Sequence, residues 1–446
     1  MPEPQRIGPV KFDSNKLPVR AVIDYYRDGR LNLDPVFQRQ SVWHPKQREH
    51  LINSVFHGYP IPAIFLYRRI DESTGAMMYE VVDGKQRIET LFMYTSVIHG
   101  KFTARLFLPD SDRAQAVDYS FLRRKKLQSR IEDYLLQVIE VEAGLSDIIE
   151  LFVRINSTGN ALTRQEIRNA HFYRSGFLKT AKRLATRYES YFQEVGTIGA
   201  QQVRRMKHIE LISELLYSGH IEDVANKKRV LDAAMSNDGL KGVQLRKAEK
   251  MTTTSLNRLR RMFPNLSRSV RFHKVSDFYS LAVVIQDLER RNFVLDNKKR
   301  NRLAWELLVA LGVGVDGLSE KSRKLDFKPL SPREELFRQY LQAVREGSDT
   351  EVNRRKRHEI IRGLIEPIFE RKDSKRGFSP EQRRILWNTA EERVCKVCGR
   401  PLTWSDFQAD HIKPFAAGGK TELRNAAMLC EKHNKKKGKK MTLVAA

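Results

Sequence analysis

The three cysteines of this 446-residue chain, Cys395, Cys398 and Cys430, all lie near its C-terminal end. The first two form C-x-x-C, and the third forms C-x-x-H with His433. Three thiols cannot close into a full set of disulfides, so a reduced compartment and a metal site are the expectation. Two close pairs of soft ligands suit a tetrahedral zinc ion held by three thiolates and one imidazole. Each pair sits on a tight turn, and the ion closes the long loop between them. So small and basic a segment has little core of its own, and the metal then supplies folding energy. The alternative is a set of buried thiols with no ligand role.

The rest of the chain is too long for one ordinary core, so two or three domains are expected. Hydrophobic residues make up 41% of it, enough for globular cores. No apolar run approaches a membrane span, and the first residues lack an apolar signal core. The expectation is a cytoplasmic protein with no membrane partner. Lys and Arg number 81 against 54 Asp and Glu, a formal charge of +27. Such an excess points to a polyanion, most simply nucleic acid. A merely soluble basic surface, or one meeting anionic lipid, is the competing explanation.

Residues 1–160 read as mixed α and β. The stretches 61–70 and 77–84 are apolar and β-rich, with an acidic turn between them, which predicts a hairpin. Helical spacing follows from Lys85, and 134–143 is a further predicted strand. Residues 161–370 read as helical, opening with a capping box at Thr163 and Glu166. Basic clusters recur there, among them NRLRRMF at 257–263 and NRRKRH at 353–358. Most runs of this kind are solvated helix faces; others track phosphates. The polar stretch 371–380 marks the last boundary, and residues 371–446 carry 18 basic and 8 acidic side chains.

Between the two ligand pairs lie Asp410-His411 at the end of a predicted strand, a Gly418-Gly419 turn and Asn425. Asn434 follows the second pair on a predicted helix. This order, over roughly residues 380–440, resembles the HNH endonucleases and their ββα-metal finger. The resemblance implies phosphodiester hydrolysis, with His411 as general base. It implies Asp410 and Asn434 as hard oxygen ligands for one Mg²⁺ or Mn²⁺. Asn425 would hold the loop, and Lys435, Lys436 and Lys437 would meet DNA phosphates. Many relatives carry a fourth cysteine where this chain has His433. His433 therefore closes the zinc set, or else joins the catalytic triad with Asn434 displaced.

A second signature is VVDGKQRIETLFMY, residues 81–94. A strand ending at Asp83-Gly84 and feeding a helix with Gln86 and Arg87 in its first turn makes an anion site. With the blocks at 37–67 and 152–168, it resembles the N-terminal domain of GmrSD-type restriction enzymes. That resemblance implies a ParB/sulfiredoxin-like fold, a nucleotide or phosphate site, and sensing of phage DNA. The implied site residues are Asp83, Gly84, Gln86 and Arg87, with Arg39 and Asn156 as companions. Lys85 and Glu89 depart from the family's Gln and Thr.

The combined expectation is an α+β multidomain chain. Residues 1–160 form the GmrSD-type domain, 161–370 a helical domain and 371–446 the HNH domain. Its function is metal-dependent DNA cleavage in anti-phage defence, regulated by the N-terminal domain. Structural Zn²⁺, catalytic Mg²⁺ or Mn²⁺ and an optional nucleoside triphosphate are the expected cofactors. DNA is the expected partner, with weak sequence preference. Other defence-system proteins are further candidates, as where an HNH protein serves as effector in systems such as Zorya. The rivals are a nucleotide-dependent protein whose zinc module only docks on DNA, and a nucleotide hydrolase with a vestigial C-terminal domain.

Overall fold

The computed structural model describes residues 10–38, 41–156, 162–236, 239–322, 331–373 and 375–437. The fold is α+β and multidomain. It divides into two compact units, residues 1–189 with 198–210 and 235–239, and residues 190–197 with 211–234 and 240–446. Among the described residues, no helix is long and apolar enough to cross a membrane.

The first unit is built on a five-stranded sheet. Its strands are β1 (Lys11–Pro18), β2 (Leu31–Asn32), β3 (Ile64–Ile70), β4 (Met77–Asp83) and β7 (Leu135–Glu142). β5 (Ala104–Leu106) and β6 (Gln115–Val117) form a separate ribbon between β4 and β7. The sheet order is β1-β7-β3-β4-β2. β3 and β4 make the antiparallel hairpin that the apolar pattern predicts. β3 runs parallel to β7.

Successive strand residues face opposite sides, and here both sides are covered. Ile64, Leu66 and Val81 join the core that includes the helices Pro45–Phe56 and Lys85–Tyr94. Phe65, Tyr67 and Val82 pack with the helix Leu145–Ile155. That double burial is why residues 64–67 and 81–82 form continuous apolar runs instead of alternating with polar residues. The capping box forms: the Thr163 hydroxyl accepts from Glu166 N at 3.2 Å, and Thr163 N donates to the Glu166 carboxylate at 2.6 Å.

The second unit contains the long helices Gly242–Met262, Val275–Arg290, Lys298–Ser322, Pro332–Arg345 and Glu351–Ile365. The basic run 353–358 is only partly a solvated face: Arg355 and Lys356 are exposed, but the other basic residues turn inward. Arg354 and Arg357 lie three apart, share the inward side of their helix and are buried. Arg354 is paired with Glu214 and lies 4.0 Å over the Tyr279 ring. Arg357 donates to Ser280 Oγ at 3.0 Å and to Ser348 O at 2.8 Å. Each guanidinium finds its partners inside the unit, as buried charge requires, although the Arg354 Nε is left without an acceptor among the described residues.

The chain then runs through the helix Pro380–Thr389 into β8 (Phe407–His411), β9 (Ala426–Cys430) and the helix Glu431–Lys437. β8 and β9 pair antiparallel, with His411 opposite Ala426 and Phe407 opposite Cys430. The result is a ββα finger.

Candidate active site and metal centre

The ligand atoms of Cys395, Cys398, Cys430 and His433 lie within 4.8 Å of one another. His433 Nδ1 is 3.2 Å from the Cys430 sulfur and 3.6 Å from that of Cys395. His433 therefore belongs with the thiols. Three soft sulfurs and an imidazole on two turns fit a structural zinc ion. Burial pushes the Cys395 thiol up, but backbone N–H groups of Cys430, Val397 and Cys398 outweigh it and bring it down to about 6. Thiolate is the form that metal binding needs. The surrounding core is small: Leu402, Phe407, Met428 and Leu429 with two of the cysteines, and Trp387 against its edge.

β8 carries Asp410 and His411 at its end, opposite Ala427 and Ala426 of β9. Asp410 Oδ1 lies 3.9 Å from His411 Nδ1. His411 is buried, with the Phe378 ring centroid at 4.6 Å and that of Phe415 at 5.8 Å. Its Nε2 is 3.0 Å from Thr421 Oγ1. The Thr421 hydroxyl donates its one proton to the Lys375 carbonyl, so it offers His411 only a lone pair. Nε2 must then carry the imidazole proton, leaving the Nδ1 lone pair free on the side of Asp410. Burial pushes the imidazole below its ordinary value, Lys437 adds to that, and Asp410 and Asp373 oppose it. A neutral ring with one pinned nitrogen and one free lone pair can accept a proton.

Asn425 clamps the loop after β8. Its Oδ1 accepts from Lys413 N at 2.8 Å, and its Nδ2 donates to Lys413 O at 3.1 Å and Lys420 O at 2.8 Å. The clamp requires Gly419, where a Cβ would sit 1.8 Å from the Lys413 carbonyl oxygen. Asn425→Ala deletes three hydrogen bonds at about 1 kcal/mol net each. A loss of about 3 kcal/mol from the finger is expected, read as an earlier thermal transition in its tryptophan fluorescence.

Lys437 differs from the expectation that it faces DNA phosphates. It is buried, and its ammonium is bonded to Asp410 Oδ2 and to the His411 carbonyl. It lies three positions after Asn434, which is half-buried, so the two share a helix face. Lys435 instead pairs with Glu431 at the surface. The Asp410 carboxylate and the His411 carbonyl thus already hold a positive charge. These two oxygens are donors of the kind hard cations prefer.

Sequence reasoning missed Thr421, Phe378, Asp373 and Lys375, and gave Lys437 the wrong partner. Asp373 Oδ2 accepts from Thr421 N at 2.9 Å and the Lys375 carbonyl accepts from the Thr421 hydroxyl, so these two residues of the stretch expected as a linker line the site. No spacing rule signals these contacts, because each comes from a loop folding back.

In the first unit, Gly84 takes φ +96°, and a Cβ there would meet the Ile64 side chain at 3.0 Å. Arg87 reaches Asp83 at 2.6 Å and Ala63 O at 3.0 Å. Gln86 accepts from Val42 N at 3.0 Å. Lys85 is buried, bonded to Asp34 and 3.6 Å from Glu89. Burial pushes the Glu89 carboxyl up, with Lys85 opposing. Both cations of the turn therefore face carboxylates. The Asn156 amide bonds to Phe152 O of its own helix at 2.8 Å. Arg39 lies outside the described residues.

Comparison with known families matches both regions. Residues 22–173 match the GmrSD restriction endonuclease, N-terminal domain. Residues 395–440 match the HNH endonuclease. No curated protein matches the chain.

Proposed function

We propose that this nuclease, a GmrSD-type N-terminal domain joined to an HNH endonuclease domain, hydrolyses DNA phosphodiesters with His411 as general base. The observation that carries this reading is the pinned imidazole: Thr421 holds Nε2, and Nδ1 faces the Asp410 side of the site. His411 Nδ1 takes the proton from the attacking water. Asn425 keeps the loop beside that ring in place. A Mg²⁺ or Mn²⁺ held by Asp410 and Asn434 would supply charge compensation at the scissile phosphate. Lys437, already on Asp410, holds that carboxylate turned inward. The basic surface of residues 371–446 grips the sugar-phosphate backbone, so sequence preference is weak.

The biological role we propose is restriction of phage DNA in the cytoplasm, with the N-terminal domain regulating the cut. Its support is the family of residues 22–173 and the hazard that an ungoverned nuclease of this charge poses to host DNA. Asp83, Gly84, Gln86 and Arg87 are the residues through which a nucleotide would act. Because Arg87 and Lys85 already face carboxylates, phosphate binding there requires Arg87 to leave Asp83.

The test is conversion of supercoiled plasmid, with Mg²⁺, Mn²⁺ or neither, with and without nucleoside triphosphates. Divalent-dependent conversion is expected, at a rate that triphosphates change. Thr421→Val keeps the shape but removes the acceptor, freeing the ring to rotate and change tautomer. It is expected to slow cleavage about tenfold or more while zinc content and DNA affinity hold. Plasmid left intact under every condition would refute the catalytic reading, and a rate indifferent to triphosphates would refute nucleotide control.

A further inference from the structure

The basic stretch 257–263 leads to a second site that the nuclease reading does not use. The helix Gly242–Met262 ends in Arg260 and Arg261, and the chain turns through Phe263, Pro264 and Asn265. The helix Lys298–Ser322 begins alongside, with Asn297 Oδ1 capping Lys299 N at 3.0 Å and Arg300 N at 3.2 Å. Between them lies a cavity of about 310 Å³, within the range of small-molecule sites, about 300–1,000 Å³.

Its lining sorts into three kinds of group. Trp305 is half-buried on one wall, over the buried Phe263 ring at 6.1 Å between centroids. Arg261, Lys298 and Arg302 are exposed at the rim, and none of the lining residues is acidic. Arg302 meets Glu306 at 3.1 Å, but both are exposed, so that pair contributes little. The third kind is Asn301, 9% exposed. Its Nδ2 donates to Leu295 O at 3.1 Å, while its Oδ1 is buried and without a partner among the described residues. A flat aromatic wall, a buried acceptor and three cations at the mouth match one ligand chemistry: a nucleobase carrying a donor N–H, with its phosphate outside.

The position fits a DNA strand. Arg300, on the helix that lines the cavity, pairs with Glu370, whose other oxygen is 3.6 Å from Lys413 in the finger's loop. Val294 touches the same loop, its Cγ2 3.2 Å from where a Cβ on Gly418 would sit. The helix that lines the cavity is thus packed against the finger's loop. We propose that this cavity takes the base of an unpaired nucleotide, stacked on Trp305, with its phosphate held by Arg261 and Lys298.

The full-length chain, without added divalent cation, is titrated into a fluorescein-labelled 20-mer single strand, the matching duplex, and adenosine 5′-monophosphate. Because the readout is binding, it is independent of whether the finger cuts. Trp305→Leu is expected to weaken single-strand binding about tenfold and duplex binding far less. Trp305→Phe, which keeps a stacking ring, is expected to retain most of the affinity. Arg261→Ala and Lys298→Ala should each lower the slope of log affinity against log salt by about 0.7. A loss seen with the monophosphate and not the 20-mer would make a free nucleotide the source of the same chemistry. Wild-type binding of all three probes by Trp305→Leu would overturn the proposal. So would a loss confined to the duplex. If Trp305→Leu unfolds, the salt slopes and the Trp305→Phe variant decide.

Discussion

Stripping zinc from the intact chain is expected to unfold the finger while the cores of the sheet and of the long helices survive. Among the described residues, the finger's buried cluster holds Leu402, Phe407, Met428, Leu429, Cys395 and Cys430. A core of that size cannot meet the conformational entropy of the residues it orders. A structural zinc site contributes on the order of 10–16 kcal/mol of apparent binding energy, far more than the packing around it. Its removal also leaves Cys395 and Cys430 buried with no partner ion. Trp387 and Trp404 report the event, because both rings sit against Phe407, with centroids at 5.4 and 5.7 Å. They are two of the four tryptophans in the chain. A zinc chelator should red-shift part of the emission, release one equivalent of zinc and expose three thiols to a thiol reagent. Cys395→Ser should reproduce the shift without chelator. Unchanged emission after complete zinc loss would show that the finger folds on packing alone.

The zinc set was legible because its logic is local. C-x-x-C and C-x-x-H are spacings that fold onto themselves, and the cluster assembles Cys395, Cys398, Cys430 and His433. The hairpin of β3 and β4 and the Thr163 capping box were legible for the same reason. Lys437 was not. It stands in a run of lysines on a short helix, and a charge run reads as a solvated face. What turns it inward is the neighbouring strand, whose Asp410 carboxylate and His411 carbonyl need a cation. Lys85 repeats the lesson in the first unit, where a lysine suited to a phosphate is buried against Asp34. Arg354 and Arg357 repeat it in the helical region. In each case the residue type was plain, and its direction was set by a partner far along the chain.

His411→Ala is expected to abolish cleavage and little else. The imidazole is the group with a free lone pair facing the Asp410 side of the site, and its Nε2 is occupied by Thr421. A general base contributes about 10²–10⁴ in rate, so the variant should lose at least about a hundredfold. The ring packs against Phe378 and Phe415 and bonds to Thr421. None of these three neighbours holds zinc, and none is a basic side chain that would grip DNA. Zinc content, tryptophan emission and DNA affinity should therefore match the wild type. A module that only docked on DNA would show the same controls and no cleavage in either protein.

The measurement is an agarose assay of supercoiled plasmid with Mg²⁺ or Mn²⁺, wild type beside His411→Ala at equal concentration. The wild type should convert the plasmid to open-circular or linear form. The variant should leave it supercoiled over the same interval. Conversion by His411→Ala at the wild-type rate would contradict the account, because the proton acceptor would then be some other group.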